Sequence, residues 1–331
     1  MSGAGSGEDG LIDRLFRPIA RHPAALGLTD DAACLTPPPG RDLVLTKDAL
    51  VAGVHFFADD PPASIARKAM RVNLSDLAAK GAEPLGLLLA LAVPPQMDEA
   101  MLADFARGFG DDSQSYAAPL LGGDMVRTPG PFTISVTALG TVPQGAMVKR
   151  SGAGAGHAII VTGTIGDAAL GLALRLDPAR PGFRELTEPA RAVLADRYLH
   201  PRPRLALVAA LRAHASAAMD VSDGLAGDLA KLLAASSVAG RIEAVRVPLS
   251  VPARAALAAE PGLLDTVLGG GDDYEVLATV PFERLDAFGI LATAAGVPVT
   301  VIGRTSAGQG LVVEGADGAP LPLARPSFSH F

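Results

Sequence analysis

The sequence predicts a mixed α/β protein of the α+β type, divided into two domains, and three observations carry that expectation. A single core seldom grows beyond about 250–300 residues, so a chain of 331 residues divides. Apolar runs of strand length alternate along it with segments whose apolar residues recur at helical period. A glycine-rich stretch from Pro143 to Gly156, carrying Lys149 and Arg150, separates two such series and puts one domain at 1–145 and the other at 146–331.

In the first domain, Leu11 to Ala20 has the pattern of a short amphipathic helix that ends before Pro23. Asp30 and Asp31 then enter an apolar strand, Ala32 to Leu35. Adjacent carboxylates repel unless a cation stands beside them; the alternative is a turn in which Asp caps its own backbone. After Pro37–Gly40, Leu43 to Asp48 reads as a buried strand with Thr46 and Asp48 on one side and Lys47 on the other. His55 lies among apolar residues, either as a satisfied, partly buried ring or as a substrate contact.

The segment Lys68–Pro84 is the centre of this domain. At helical period Met70, Leu74, Leu77, Ala78 and Gly81 share a stripe, and Asn73, Asp76 and Lys80 share its flank. Asp76 is therefore either a half-buried carboxylate on a rigid element or a solvated one on an ordinary helix. Gly86 to Val93 is a second buried strand closed by Pro94–Pro95, and Asp98 to Phe109 is helical. Leu120–Asp124 sets Asp124 after two glycines at a strand end, where a backbone without side chains can approach a ligand. Phe132 to Thr141 is a further strand.

In the second domain, Gly152–Gly156 precedes the strand Ala158–Val161, whereas a dinucleotide fingerprint follows its strand and opens a helix, so that reading is rejected. Gly163 and Gly166 do follow the strand and lead into a helix from Asp167 to Leu174, a weak signal for phosphate at a helix start. Pro178–Pro203 is a loop-and-helix insertion, and Leu205 to Ala213 is helical. Ala217–Leu225 is a second acidic centre: Ser222 is expected to cap the helix carrying Leu225, Leu229 and Leu232, which sets Asp220 and Asp223 at its positive end. Gly269–Glu275 brings Asp272 and Asp273 behind three glycines, as a ligand loop or a plain turn, into the strand Val276–Val280. A helix over Ala287–Ala295 and a strand over Val299–Ile302 follow.

Composition narrows the chemistry. Hydrophobic residues are 49% of the chain, there is no Trp, and the formal net charge is -7. Such a chain lacks both the stacking platforms and the positive field that nucleic acid requires. The lone Cys34 excludes an intrachain disulfide and a cysteine-rich zinc site, and its apolar neighbours make it a small core residue. MSGAGSGEDG lacks the features of a signal peptide and reads as a flexible tail, and the apolar run Leu85–Val93 is too short to span a bilayer. A soluble, cytoplasmic protein is expected.

Charged residues are only 19%, yet Asp30, Asp31, Asp48, Asp76, Asp124, Asp220, Asp223, Asp272 and Asp273 stand beside glycine or at the ends of apolar runs. They read as parts of one metal site. Mg²⁺ takes carboxylate and water oxygens and completes its shell with substrate phosphates. Acids from both halves without a Cys/His set thus point to several Mg²⁺ ions carried on a nucleotide. No G-x-x-x-x-G-K-[ST] loop, H-R-D or D-F-G set, or G-x-S-x-G elbow is present. Phosphoryl transfer would then rest on metal ions and positioning.

Eight motifs in order, GLTDDAACL, LTKDALVAGVHF, KAMRVNLSDLAAKGAEP, LLGGD, KRSGAGAG, VTGTIGDAALGL, MDVSDGLAGDL and GGGDDYE, resemble the thiamine-monophosphate kinase family, across nearly the whole chain from residue 11. This family sits in the superfamily of aminoimidazole-ribonucleotide synthetase, selenophosphate synthetase and the hydrogenase-maturation dehydratase. The resemblance implies a two-domain aminoimidazole-ribonucleotide-synthetase-like fold and a homodimer joined through the N-terminal sheets, with ATP held by the N-terminal domain near that interface. It implies phosphorylation of thiamine monophosphate to the diphosphate by direct in-line transfer from ATP with Mg²⁺, and K⁺ is a candidate further ion. By motif position Asp31, Thr46, Asp48, Asp76, Asp124, Asp220 and Asp223 would bind metal, Asp76, Asp124 and Asp220 being central to catalysis. Gly123, Arg150 and Ser222 would touch ATP; His55, Asp272 and the tail ring Phe328 would meet the thiamine phosphate.

Several positions depart from the family pattern. Thr29 stands for a Gly, Lys47 for the Thr before Asp48, Asp272 for a Glu, Gly156-His157 for Gly-Asp, and Arg325 and Phe328 where Trp and Tyr are frequent. The alternatives are a sister ATP-dependent synthetase, a metal-dependent phosphatase and a catalytically silent dimeric scaffold. The selenophosphate and maturation enzymes need terminal cysteine features absent here.

Overall fold

Strand β1 (Arg41–Val51) alternates inward Val44, Thr46, Asp48 and Leu50 with outward Leu43, Leu45, Lys47 and Ala49. Side chains of a strand point alternately to its two faces. The computed structural model describes residues 7–325, 327 and 328; residues 1–6, where a tail is expected, and the final His330-Phe331 lie outside them. The chain forms two units, residues 1–77 with 82–145, and 78–81 with 146–331.

In the first unit, α1 (Glu8–Leu11) passes directly into a π-helical turn, Ile12–Phe16. The helix expected to Ala20 stops early because Pro18 has no N–H to continue it. A 3₁₀ segment, Pro23–Leu28, follows, and Asp30–Leu35 is exposed or half-exposed irregular chain rather than the expected strand. Cys34 is exposed there and is not a core residue, since no element covers it. After β1 come α2 (Pro62–Ala79), β2 (Glu83–Val93), α3 (Glu99–Ser115), β3 (Leu120–Arg127) and β4 (Thr133–Pro143). Asp98 caps α3 by accepting from the Met101 N–H.

The sheet order is β1-β4-β2-β3, with β2 and β3 parallel and the other neighbours antiparallel. Helix α2 is buried on more than the predicted stripe: Met70, Leu74, Leu77 and Ala78 are fully enclosed, and so are Lys68, Val72, Asn73 and Ser75. The strand over 43–48 is buried on one face only, for Leu43 and Leu45 remain 44% and 63% exposed. Asp124 lies inside β3 and not at its end, because pairing with β2 continues to Arg127.

The second unit contains β5 (Ala158–Thr162), α4 (Asp167–Leu176), α5 (Pro181–Arg184), α6 (Glu188–Leu199), α7 (Val208–His214), β6 (Ala217–Asp220), α8 (Leu225–Ser236) and β7 (Ala239–Glu243). It continues through α9 (Val251–Ala259), α10 (Leu264–Gly269), β8 (Val276–Val280), α11 (Phe282–Ala294), β9 (Val299–Ser306) and β10 (Gly310–Glu314). The order β10-β7-β9-β5-β8-β6 makes β5 and β8 interior strands, each with a neighbour on both sides. Their residues are buried on both faces: Ile159, Val161 and Leu277 join one apolar cluster, Ala158, Ile160, Ala278 and Val280 the other. Covering on both sides turns a strand into a continuous apolar run, which is what AIIVT shows. No helix of the described residues is long and apolar enough to cross a membrane.

Candidate functional site

The inward face of β1 meets the flank of α2 at Thr46 and Asp76. Thr46 Oγ1 donates to Asp76 Oδ2 at 2.5 Å. Two residues along, the Asp48 N–H donates to Asn73 Oδ1 at 3.0 Å, while Asn73 Nδ2 donates to the Ala69 carbonyl at 2.9 Å. Asn73 is fully buried and uses both ends of its amide, so it fixes strand against helix. Thr46, Asp48 and Asp76 are thereby brought together, with Asp76 half-buried as expected. His55 follows in the turn after β1. Its Nδ1 accepts the Val51 N–H at 3.0 Å, and its carbonyl accepts from the buried Lys68 Nζ at 2.9 Å.

The outer face of the same sheet carries a cleft of about 690 Å³. Asp30, Asp31, Lys47 and Asp124 line it, over a floor that includes Leu88 and Ala90. Register explains the grouping: Lys47 pairs with Thr137, Thr137 with Leu88, and Ala90 with Asp124. The sheet therefore does not gather the first unit's candidate ligands at one point. Thr46 and Asp48 face α2, which carries Asp76, and Asp31 and Asp124 stand on the cleft side. The close approach allowed by Gly123 is to β2, since a Cβ there would lie 1.8 Å from the Leu89 carbonyl oxygen.

In the second unit, β6 ends at Asp220, paired with Val276 of β8. The N-cap of α8 is Gly224, with no side-chain bond, so Ser222 does not cap it. Instead Asp228 Oδ2 reaches back from inside α8 to accept the N–H groups of Ser222 and Asp223, each at 2.9 Å. Lys231 Nζ links Asp228 Oδ1 at 2.9 Å to Asp223 Oδ2 at 2.5 Å. Burial pushes the Asp228 carboxyl up, against the pull of Lys231 and the Asp223 N–H. Partial burial would lower Lys231, but its bonds to Asp223 and Asp228 outweigh that and raise it.

Asp272 joins this centre through its N–H, which donates to the Ser222 carbonyl at 2.8 Å. The half-exposed Phe328 joins it likewise, donating its N–H to the Asp223 carbonyl at 2.8 Å. Arg150 is exposed, and its carbonyl accepts from Ser236 Oγ at 3.0 Å. The turn suggested as a phosphate site is already filled: Asp273 Oδ1 takes the Gly166 N–H at 2.8 Å. Behind it Glu275, fully buried, accepts from Arg197 at 2.8 Å, Arg204 Nε at 2.6 Å and Thr162 Oγ1 at 2.6 Å.

Asp228, Lys231 and the Arg197–Arg204–Glu275 cluster were not singled out by the sequence, which places Asn73 beside Asp76 without giving it a part in joining helix to strand. One signal was present: Asp228 shares a helical stripe with Leu225, Leu229 and Leu232, and an acid there is buried and demands partners. Among the described residues no three His, Cys, Asp or Glu side chains are grouped so as to hold a metal ion by themselves. The donors that do occur in the two centres are carboxylate and hydroxyl oxygens, the type that Mg²⁺ takes.

Comparison with known proteins adds the remaining finding. Models described as AIR synthase related protein match residues 29–142 with the N-terminal domain and 154–316 with the C-terminal domain. A thiamine-monophosphate kinase of Caulobacter vibrioides is 45% identical over 304 residues, 91% of this chain and 84% of that protein. The crystal structure of a thiamine-monophosphate kinase from Stenotrophomonas maltophilia superposes with a TM-score of 0.83 at 40% identity, covering 94% of this chain and 96% of that one. AaThiL, solved in complex with AMPPCP and TMP, superposes with a TM-score of 0.78 at 31% identity, covering 98% and 97%.

Proposed function

The chain belongs to the thiamine-monophosphate kinase family, and from that membership we propose that it transfers the γ-phosphoryl group of ATP to the phosphate of thiamine monophosphate, giving thiamine diphosphate and ADP. The observation that carries this reading is identity of 40–45% to proteins of that name over most of both chains. The complex of AaThiL with AMPPCP, an ATP analogue, and TMP supports the pair of substrates.

We assign the Mg²⁺ ligands as two groups in the first unit, Thr46 with Asp48 and Asp76, and Asp31 with Asp124, and as Asp220 with Asp223 in the second. Mg²⁺ keeps water and takes phosphate oxygens, so one or two protein carboxylates per ion suffice. When bound, the ions would neutralise the charge that spreads over the transferred group. The chain's own part is orientation. The Thr46–Asp76 bond and the Asn73 bridge hold their oxygens rigidly before any ligand arrives, which lowers the cost of organising the site.

His55 is assigned to the thiamine phosphate. Its Nδ1 already accepts a backbone N–H, so the neutral ring carries its proton on Nε2, a donor suited to a phosphate oxygen. Asp272 and Phe328, both tied to the Ser222–Asp223 turn, are assigned to the same substrate, and Gly123, Arg150 and Ser222 to ATP. The exposed apolar outer face of β1 supports a homodimer through the N-terminal sheets. Incubation with thiamine monophosphate, ATP and Mg²⁺ tests the whole reading: ADP and thiamine diphosphate should appear in equal amounts. Release of inorganic phosphate from thiamine phosphates without ATP would replace the kinase by a phosphatase.

A further inference from the structure

The segment Gly269–Glu275 adopts a conformation that its sequence does not favour. Gly271, Asp272 and Tyr274 have φ of 77°, 63° and 50°, and for the two non-glycine residues the left-handed region is disfavoured. Such a backbone persists only where its surroundings over-determine it. Main-chain bonds supply part of that restraint: Asp272 N–H to the Ser222 carbonyl at 2.8 Å, Tyr274 N–H to the Val221 carbonyl at 2.9 Å, and Val221 N–H to the Glu275 carbonyl at 2.9 Å. The Glu275 carboxylate, held by Arg197 and Arg204, fixes the far end.

Between these restraints lies Asp273, only 2% exposed. Its Oδ1 accepts the Gly166 N–H, at an N-cap that carries no side-chain cap of its own. Gly166, with φ of 86°, packs close against Val267, whose side chain a Cβ at that position would meet at 2.7 Å. The second oxygen, Oδ2, has no partner among the described residues, and neither has Arg197 Nη1. A buried carboxyl that leaves an oxygen unsatisfied is costly. Nothing in the packing of β8 requires it, because the strand begins three residues later.

We infer that Asp273 is a positioning residue: by pinning the loop to the start of α4 it holds Asp272 against the Ser222–Asp223 turn, and so sets the affinity for thiamine monophosphate. This rests on the assignment of Asp272 to that substrate. Asp273 itself touches no reacting atom; burial keeps it away from the ligand.

The test compares Asp273→Ala and Asp273→Asn with the wild-type chain, varying the two substrates separately. The alanine variant should raise KM for thiamine monophosphate about tenfold, with kcat and KM for ATP within about twofold. Asparagine keeps an acceptor for Gly166 and should return KM to within about threefold of wild type. Amide exchange at Asp272 and Tyr274 should accelerate in the alanine variant alone. Asp273→Leu, similar in bulk but without an acceptor, takes its place if alanine does not fold. An unchanged KM in a folded variant, or equal rises for both substrates, would overturn the inference. Absence of kinase turnover in the wild-type chain would instead remove the proposed function, and unaltered exchange in Asp273→Ala would still overturn the pinning.

Discussion

At Thr46 and Asp76 a hydroxyl and a carboxylate share one short bond, and the pair was legible in the sequence only as two isolated residues. Strand alternation placed Thr46 beside Asp48, and helical period placed Asp76 beside Asn73. What no spacing could give was that the two flanks face each other. Asp76→Asn and Asp220→Asn are each expected to lower turnover by about a hundredfold or more while leaving circular dichroism unchanged. Near-normal rates in both would take these residues out of the chemistry. Asp273 yields a prediction of another kind. Burial raises its carboxyl well above the ordinary 3.8, Asp167 and Glu275 add repulsion, and the Gly166 N–H and Arg197 pull the other way. The folded chain then keeps a proton that the unfolded chain releases, so stability falls as pH rises from 3.8 toward the native value, by at most about 1.4 kcal/mol per pH unit. Asp273→Asn cannot titrate and should lack that slope. Parallel urea midpoints for the two proteins between about pH 4 and 8 would contradict it.

Elements were read best where periodicity is strong and worst where chain chemistry competes with it. The stripe on α2 and the apolar run of β5 announced themselves. The end of the first helix did not, because Pro18 decides it, and the capping role expected of Ser222 is absent: its N–H is instead held, with that of Asp223, by Asp228 from inside α8. The glycines before Asp124 were read as room for a ligand, whereas Gly123 is required by its neighbour strand. Gly123→Ala should therefore destabilise the first unit by about 3 kcal/mol through overpacking against Leu89, seen as a lower urea midpoint. An unaltered midpoint would show that β3 can draw away from β2 at little cost.

On the scale of the whole molecule, the expectation of two domains rests on length and the Pro143–Gly156 stretch, and neither says which face of the first sheet stays open. The apolar run 43–48 predicts a buried strand, yet Leu43 and Leu45 lie exposed, because hydropathy alone cannot separate an inward apolar face from an outward one. Leu45→Lys should shift the native mass in sedimentation from a pair of chains to a single chain, with secondary structure kept. A wild-type protein that sediments as one chain would refute the pairing. The two sides of β1 carry a further implication. Leu45 and Thr46 are successive residues of one strand, so the surface proposed for a second copy and the oxygens proposed for the nucleotide's metal ions are separated by a single peptide bond. Dilution that parts such copies would be felt at the phosphates through the backbone itself, making enzyme concentration a variable of turnover per subunit.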